Sequence, residues 1–295
     1  MTSDLCPAPG APADPPSAEP VPIDPARRFG GIDRLYGAGA LEALAGLRVV
    51  VAGIGGVGTW CVEALARSGV GALTLVDLDH IAESNINRQA HALDSTLGCS
   101  KIEAMAGRVR DINPACAVHL VDDFIDADNV AAILSAGPGP GVLVDCTDQV
   151  PAKVAMILAA RAAGWPLIVC GGAGGKTDPL ALRAGDLSLA VHDALLGRVR
   201  QVLRQRHGYP KGGAAGGKAS RRPARMGVDC LWFEQPVVLP EAWRAAPEGA
   251  SPQGLSCAGY GSIVTVTATM GLAAADRALR QGLALADHRT DRSPG

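Results

Sequence analysis

The segment from Gly53 to Gly58 reads Gly-Ile-Gly-Gly-Val-Gly, which is the spacing of a nucleotide-binding turn. Gly53 permits a tight turn, Gly55 lets the backbone approach a phosphate group, and Gly58 allows a helix to pack closely against a sheet. Asp77 ends the next apolar run, where its carboxylate can accept hydrogen bonds from ribose hydroxyls. This pattern predicts a nucleotide site, and it fits NAD dehydrogenases as well as it fits adenine nucleotides in general.

The residues after Asp77 favour phosphate chemistry. Asn85 and Arg88 place an amide and a guanidinium close together, and Lys101 begins the next helical pattern. Arg88 can hold phosphate oxygens in a fork while Lys101 acts as a point charge on the same group. Hydride transfer develops little charge at the phosphates, so a dehydrogenase does not need two such cations. Taken singly, Asn85 is also interpretable as a helix cap and Lys101 as a surface lysine.

Two carboxylates, Asp145 and Asp148, follow a later apolar run in the sequence Asp-Cys-Thr-Asp. A doubly wound fold binds its ligand at the carboxyl edge of the sheet, where such a run ends. Asp148 is placed there to hold Mg²⁺ against the nucleotide, unless it only caps the helix after it. We assign catalysis to Arg88, Lys101 and Asp148, and Mg²⁺ to Asp148. The predicted nucleotide ligands are Gly53, Gly55, Gly56, Gly58, Asp77, Asp79, Asn85, Arg88, Gln89, Lys101, Asp145 and Asp148.

Alternating strand and helix patterns position these residues. Short apolar runs predict buried strands, and stretches with helical spacing lie between them. Strand, helix and strand in repetition indicate an α/β fold with a doubly wound, Rossmann-like, mainly parallel sheet and a C-terminal extension. The predicted strands are 47–52, 72–77, 117–121, 142–146 and 167–170, and the predicted helices are 57–68, 101–112, 129–135, 152–163 and 192–207.

The chain divides into three parts by composition. Residues 1–26 are mostly Pro, Ala, Asp and Ser, which bury too little surface to offset the entropy of ordering, so a flexible tail is expected. Residues 27–190 form the predicted nucleotide-binding domain, entered by a helical pattern at 27–45. Residues 191–295 are expected to complete the same fold, with a basic loop at 198–225 and a buried helix at 261–275. That helix is shorter than the ~20 residues of a membrane span, so no obligatory membrane partner is expected.

Composition excludes several classes of protein. Hydrophobic residues make up 48% and aromatic residues 3%, which argues against a disordered chain, a collagen or an aromatic-rich sandwich. A net charge of −2 provides no global field toward nucleic acid. The eight cysteines lack the close pairs of a zinc knuckle. The N-terminus lacks the basic and apolar regions of a secretory signal, which predicts a cytoplasmic protein.

The chemistry-bearing motifs resemble those of the ubiquitin-activating-enzyme-like superfamily, which activates carboxylates by adenylation. The matching sequences are GIGGVG, DLDHIAESNINRQ, the pair Ser100-Lys101 where the helical pattern 101–112 begins, and DCTD. The resemblance implies that Asp77 binds ribose, that Asp148 binds magnesium, and that the triphosphate of ATP lies among Asn85, Arg88 and Lys101. In that superfamily the carboxylate attacks the α-phosphate, pyrophosphate leaves and an acyl-adenylate results.

Further motifs are similar to one branch, the tRNA threonylcarbamoyladenosine dehydratases. They are RFGGIDRLYG, RQAHAL, GGAGG followed by Asp-Pro, and GVDC, and the resemblance runs from about residue 27 to about residue 283. That branch adenylates the threonylcarbamoyl carboxylate of the adenosine next to the anticodon. Attack from within the same side chain then gives AMP and a cyclised product, with net loss of water.

The resemblance also implies partners. A homodimer is expected, because superfamily members commonly complete the ATP site with an arginine from the N-terminal helix of the partner subunit. Here Gly30-Gly31 occupies its place, and Arg28 and Arg34 are the candidate substitutes. Sulphur-transfer proteins are linked to the branch, so Cys230 is either a thiol that meets such a partner or a buried, inert cysteine.

The segment 198–225 is the candidate route to tRNA. It holds nine Lys or Arg residues and no Asp or Glu. Such a run is either a solvated basic loop or a phosphate contact whose affinity for tRNA falls steeply with salt. The expected tRNA-binding residues are Arg221, Arg222 and Arg225.

Two rival functions remain. Adenylation of the C-terminal glycine of a ubiquitin-like sulphur-carrier protein is the first, but relatives with that activity usually carry two CxxC zinc pairs, which this sequence lacks. A non-catalytic nucleotide-binding module that docks a sulphur-transfer protein is the second. Loss of Arg88 or Lys101 would have favoured it, and both residues are present.

Overall fold

The structure is a computed structural model that describes residues 24–137, 141–211, 223–239 and 260–290. Within these residues the strands form a seven-stranded sheet in the order β3-β2-β1-β4-β5-β7-β6. All neighbouring strands are parallel except β6 and β7. The doubly wound, mainly parallel fold predicted from the sequence is confirmed. The strands are β1 (Arg48–Ala52), β2 (Ala72–Val76), β3 (Ala117–Val121), β4 (Val142–Asp145), β5 (Leu167–Cys170), β6 (Leu182–Asp186) and β7 (Asp229–Phe233).

Helices cover both faces of this sheet. Helices α4, α5 and α9 contribute to one apolar cluster, and α6 and α7 contribute to a second cluster on the other face. Helix α8 packs on α7 in a third cluster that includes residues of β7. The described helices are α1 (Pro25–Phe29), α2 (Gly31–Tyr36), α3 (Ala40–Ala45), α4 (Gly58–Arg67), α5 (Lys101–Ile112), α6 (Val130–Ser135), α7 (Val150–Ala163), α8 (Ala194–Arg206) and α9 (Val264–Thr290).

Strand β1 shows why the sequence produces this architecture. Every residue of the strand is buried, and successive side chains point to opposite faces. Val49 and Val51 join the cluster with α4 and α9, whereas Val50 and Ala52 join the cluster with α6 and α7. A strand that is covered on both faces needs a continuous apolar run rather than an alternating one. The central position of β1 also places the loop after it in the middle of the sheet edge.

Several element predictions need correction. The helical pattern at 27–45 is three short helices, with α2 capped by Gly37. Residues 25 and 26, placed in the tail, belong to α1, because the Asp24 carboxylate accepts hydrogen bonds from the first backbone amides of that helix. Strands β6 and β7 were not predicted, and β7 joins the sheet beside β5. The late helix extends to Thr290. No described helix combines the length and hydropathy that crossing a membrane requires.

Candidate active site

A cleft of about 740 Å³ lies where the parallel strands end. The loops after β1, β2, β3, β4 and β5 all contribute to its lining, as expected for the ligand site of a doubly wound sheet. Most residues predicted from the sequence meet here, although they are scattered over about a hundred positions of the chain. The predicted residues that line the cleft are Gly53, Gly55, Gly56, Asp77, Asp79, Asn85, Arg88, Gln89, Lys101 and Asp148.

The glycine loop has the backbone geometry predicted for it. Gly53 has a φ of 85°, a conformation that L side chains rarely adopt. A Cβ at Gly58 would lie 1.8 Å from the carbonyl oxygen of Gly53, so only glycine lets α4 begin this close to the turn. Gly58 lies beneath the loop rather than in the cleft lining, which fits its predicted role in packing.

Asp77 holds the glycine loop in place. One carboxylate oxygen accepts a hydrogen bond from the Ile54 amide at 2.6 Å, and the other accepts from the Asp79 amide at 2.9 Å. Burial raises the pKa of Asp77, against the opposing effect of nearby Lys101 and of these amides. The sequence analysis predicted a ribose contact for Asp77 and did not predict these hydrogen bonds to the backbone of the turn. A carboxylate has further acceptor sites, so the ribose role stays a prediction.

Lys101 is bound to a carboxylate within the cleft. Its ammonium lies 2.6 Å from Asp79, and the lysine side chain is 8% exposed whereas the Asp79 side chain is 56% exposed. Lys101 is the first residue of α5, and this helix fixes the position of its backbone. The surface-lysine alternative is therefore wrong, because Lys101 is buried in the lining of the cleft.

Arg88 and Asn85 lie around a short 3₁₀ turn, Glu83–Asn85. The Asn85 carboxamide oxygen accepts a hydrogen bond from the Ala82 amide, so Asn85 does cap this turn. The Arg88 guanidinium donates to the Ser84 carbonyl at 2.8 Å, and its own carbonyl accepts from the Trp60 indole. The backbone of Arg88 is thereby fixed, while its half-buried guanidinium borders the cleft.

The structure does not bring Asp145 to the cleft. It is the last residue of β4 and is fully buried. Its carboxylate forms an ion pair with fully buried Lys153 at 2.9 Å, and Lys153 also donates to the Cys170 carbonyl at 2.7 Å. This pair joins the ends of β4 and β5 below the cleft, so the predicted direct contact of Asp145 with a nucleotide needs correction.

Asp148 is exposed in the cleft, three residues beyond Asp145. No group of three or more His, Cys, Asp or Glu side chains forms a metal cage among the described residues. Mg²⁺ is commonly held by one or two carboxylates together with substrate phosphates. An accessible carboxylate in the cleft, such as that of Asp148, fits that mode of binding.

Phe124 is a cleft residue that sequence reasoning missed. The residue is 59% exposed and lies in the cleft lining after β3. The Asn129 side chain donates a 2.7 Å hydrogen bond to the Phe124 carbonyl and accepts one from the Asp126 amide. The loop is thus cross-linked while its aromatic ring stays accessible. The signal available in the sequence was an apolar aromatic residue inside a run of aspartates.

Four other predicted positions lie elsewhere. The Arg28 guanidinium donates to the Ile112 carbonyl, away from the cleft, and neither Arg28 nor Arg34 lines it. Cys230 is fully buried in β7, and burial raises the pKa of its thiol, so it is not available to a partner protein as a reactive thiolate. Arg225 is exposed, whereas Arg221 and Arg222 lie outside the described residues.

Comparison with known proteins identifies the family of this chain. The model of the ThiF family matches residues 31–290. The tRNA threonylcarbamoyladenosine dehydratase of Escherichia coli K12 is 41% identical over 267 residues, which are 88% of this chain and 95% of that protein. The enzyme of the same name from Haemophilus influenzae is 40% identical, over 86% of this chain and 92% of that protein.

A solved structure supports the same assignment. The crystal structure of the E. coli dehydratase, TcdA, in complex with ATP matches with a TM-score of 0.75 and 39% identity. The match covers 89% of this chain and 96% of that one. Since the family model spans most of the chain and the relatives are covered almost end to end, the chain belongs to the ThiF family and, within it, to the tRNA threonylcarbamoyladenosine dehydratases.

Proposed function

We propose that this enzyme dehydrates the threonylcarbamoyladenosine next to the anticodon in tRNA, by ATP-dependent adenylation of its carboxylate. One observation carries the proposal. The glycine loop, Arg88, Lys101 and Asp148 meet in a single cleft, in a chain that is 41% identical over nearly all of a dehydratase. Two cations and a carboxylate beside a phosphate-binding turn suit nucleotidyl transfer better than hydride transfer.

The protein's own groups position the nucleotide. The open backbone of the glycine loop receives the phosphates, and Asp77 holds that loop while facing the ribose. Arg88 and Lys101 neutralise the charge that builds up as pyrophosphate leaves. Lys101 exchanges its contact with exposed Asp79 for the phosphates, so Asp79 holds the ammonium in place until the nucleotide binds. Phe124 offers an aromatic platform for the adenine.

Mg²⁺ completes the proposed site. Asp148 would hold it together with phosphate oxygens, and the metal would supply charge neutralisation at the triphosphate. The exposure of Asp148 in the cleft supports this arrangement.

The second stage is a cyclisation. A nucleophilic atom of the threonylcarbamoyl group attacks the activated carbonyl carbon, the bond from that carbon to the AMP oxygen breaks, and a proton leaves the attacking group. The carboxylate oxygen departs with AMP, so the product is lighter than the substrate by one water. The enzyme's contribution is to exclude water and to align the two groups.

The proposal extends to partners and compartment. The basic segment 198–225, with Arg221, Arg222 and exposed Arg225, docks the tRNA backbone. The enzyme acts as a homodimer, in which Arg28 or Arg34 of the second subunit reaches the nucleotide. It works in the cytoplasm, and a sulphur-transfer partner would bind without using buried Cys230.

Mass spectrometry of nucleosides tests the proposal. Threonylcarbamoylated tRNA is incubated with the purified protein, ATP and Mg²⁺, and we expect a nucleoside lighter by one water that forms only with ATP. Asp148→Asn and a chelator should both suppress it. No mass change, together with pyrophosphate exchange on adding a small carrier protein that ends in glycine, would assign the enzyme to carrier activation instead.

A further inference from the structure

The cleft has two halves that meet between β1 and β4. The nucleotide half consists of the glycine loop, Asp77, Arg88, Lys101 and Phe124, and these residues follow or flank β1, β2 and β3. The acceptor half consists of the residues that follow β4, β5 and β7 or begin α8. Its members that matter here are Gly172, Lys176, His192, Asp193 and the neighbouring Gln235.

Lys176 is the unusual cation of the acceptor half. It is 3% exposed and lines the cleft. Its ammonium donates to the His192 carbonyl at 2.8 Å and to the Gln235 carbonyl. Within the described residues no carboxylate lies within ion-pair distance of it. Burial lowers the pKa of Lys176, which the more distant Asp193 opposes.

A buried ammonium of this kind favours an anionic ligand. An ammonium has three N–H donors, and two of them are used here by carbonyls. A buried charge without a counter-ion is costly, and an anion in the cleft would offset that cost. The concave, low-dielectric wall also strengthens the attraction.

His192 is strained beside this cation. It has a φ of 56° and is the one non-glycine residue with positive φ among those described. Such a conformation costs of order 1–3 kcal/mol and is typical of functional sites. Its carbonyl is held by Lys176, and the next residue, Asp193, is fixed by the Gly172 and Leu196 amides. The exposed imidazole is thus placed in the cleft wall by its neighbours.

We propose that Lys176 and His192 form the recognition site for the carboxylate-bearing side chain of the modified adenosine. This inference rests on the proposed function and names the residues that select its substrate. Lys176 attracts the free carboxylate before adenylation, and His192 hydrogen-bonds a polar group of the same side chain. Both are positioning residues, and the bond-making steps remain those of the nucleotide half.

Binding measurements test this assignment directly. Affinities of the full-length protein for threonylcarbamoylated and for unmodified tRNA are compared in the presence of a non-hydrolysable ATP analogue. We expect the wild type to prefer modified tRNA, and Lys176→Met to lose that preference by about tenfold, as for a charge-assisted hydrogen bond. Its affinities for unmodified tRNA and for the ATP analogue should stay within about twofold. Unchanged preference in Lys176→Met would overturn the assignment, because the ammonium would then serve only to hold the loops together.

A pair of His192 variants provides the matched control. Gly and Asn both tolerate positive φ, so His192→Gly and His192→Asn keep the backbone carbonyl for Lys176 even if Lys176→Met does not fold. We expect His192→Gly to lose preference for modified tRNA and His192→Asn to retain most of it; equal preference in both would overturn the role of the imidazole. If the wild type itself shows no preference and forms no lighter nucleoside, the proposed function fails and this assignment with it. If the wild type is active and the variants match it, this assignment alone fails.

Discussion

The two halves of the cleft hold their lysines in opposite ways. In the nucleotide half, Lys101 is neutralised by a carboxylate that is more than half exposed. In the acceptor half, the ammonium of Lys176 donates hydrogen bonds to two backbone carbonyls instead. An exposed carboxylate such as Asp79 is easily displaced by phosphates because water already solvates it, whereas carbonyls leave the positive charge of Lys176 in place. Under the proposed function, the nucleotide half would therefore exchange its ion pair for contacts with phosphates, and the acceptor half would keep a permanent positive charge at Lys176.

The supports below the two halves differ as well. The acceptor half stands on the fully buried pair of Lys153 and Asp145, which links the ends of two strands. Burial raises the pKa of Asp193, which caps α8, and Lys153 is among the groups that oppose this rise. The nucleotide half is supported by a neutral group, the buried imidazole of His91. Its Nε2 lies 3.0 Å from the Ile54 carbonyl oxygen in the glycine loop. We therefore expect a substitution at the buried ion pair below the acceptor half to lower the free energy of unfolding more than one at His91 below the nucleotide half.

The largest effect is expected at Lys153. Lys153→Met leaves the Asp145 carboxylate buried without its counter-ion, which should lower the free energy of unfolding by about 3–5 kcal/mol. Urea unfolding measures it. Arg183→Met removes a pair in which both side chains are about half exposed, and should cost at most about 1 kcal/mol. Similar losses in the two variants would contradict the contrast between buried and exposed pairs.

The two cations that we propose to bind phosphate come next. Lys101→Ala and Arg88→Ala should each lower the rate of adenylation by about 10²–10³-fold, because each removes charge stabilisation at the leaving pyrophosphate. Pyrophosphate release with modified tRNA reports the rate, and thermal unfolding confirms the fold. Arg110→Ala removes an exposed arginine from the same helix as Lys101 and serves as the control. A Lys101 variant that turns over ATP normally would remove that residue from the mechanism.

A smaller effect is expected at Phe124. Base stacking on an aromatic ring is worth about 1–3 kcal/mol, so Phe124→Ala should weaken ATP binding by roughly 5- to 100-fold. Phe124→Trp keeps a platform and should bind nearly as well as the wild type. Inhibition by inorganic tripolyphosphate, which has no base, should not change in either variant. Equal weakening for ATP and tripolyphosphate would place Phe124 near the phosphates instead.

The nucleotide half was predictable from sequence because its parts are local. The glycine turn, the strand that ends before Asp77 and the helix that begins at Lys101 each follow from contiguous patterns, and the last has the predicted bounds. The ion pair between Lys101 and Asp79 was not predictable, because it depends on how a loop and a helix start meet in space. The burial of Asp145 was not predictable either. Its residue type suits a ligand, but its side chain at the end of β4 is enclosed by tertiary packing instead of facing the cleft.

The acceptor half depends on contacts between distant segments. Lys176 meets carbonyls of His192 and Gln235, which belong to different loops, so no periodicity or spacing marks it. Strand β7 was missed for a related reason: its five residues pair between β5 and β6 but follow a glycine-rich segment with no regular pattern. Tertiary pairing, rather than local propensity, made it a strand.

The smallest effect concerns pH and the support of the nucleotide half. Burial lowers the pKa of His91 to about 4, against about 6.5 in the unfolded chain. Between these two pH values the unfolded state binds a proton at His91 that the folded state does not bind. The contribution of His91 to stability is therefore fully present above pH ~6.5 and decreases as the pH falls. For this group alone we expect a loss of about 1–2 kcal/mol between pH 7 and pH 5, measured by urea unfolding at both values.

Two substitutions to Gln provide the controls. His91→Gln can still donate to the Ile54 carbonyl but does not titrate, so its stability should depend less on pH. Substitution of exposed His119 by Gln should leave the dependence unchanged. Equal pH dependence in wild type and His91→Gln would mean that His91 titrates normally, and that a neutral group is not what supports the glycine loop.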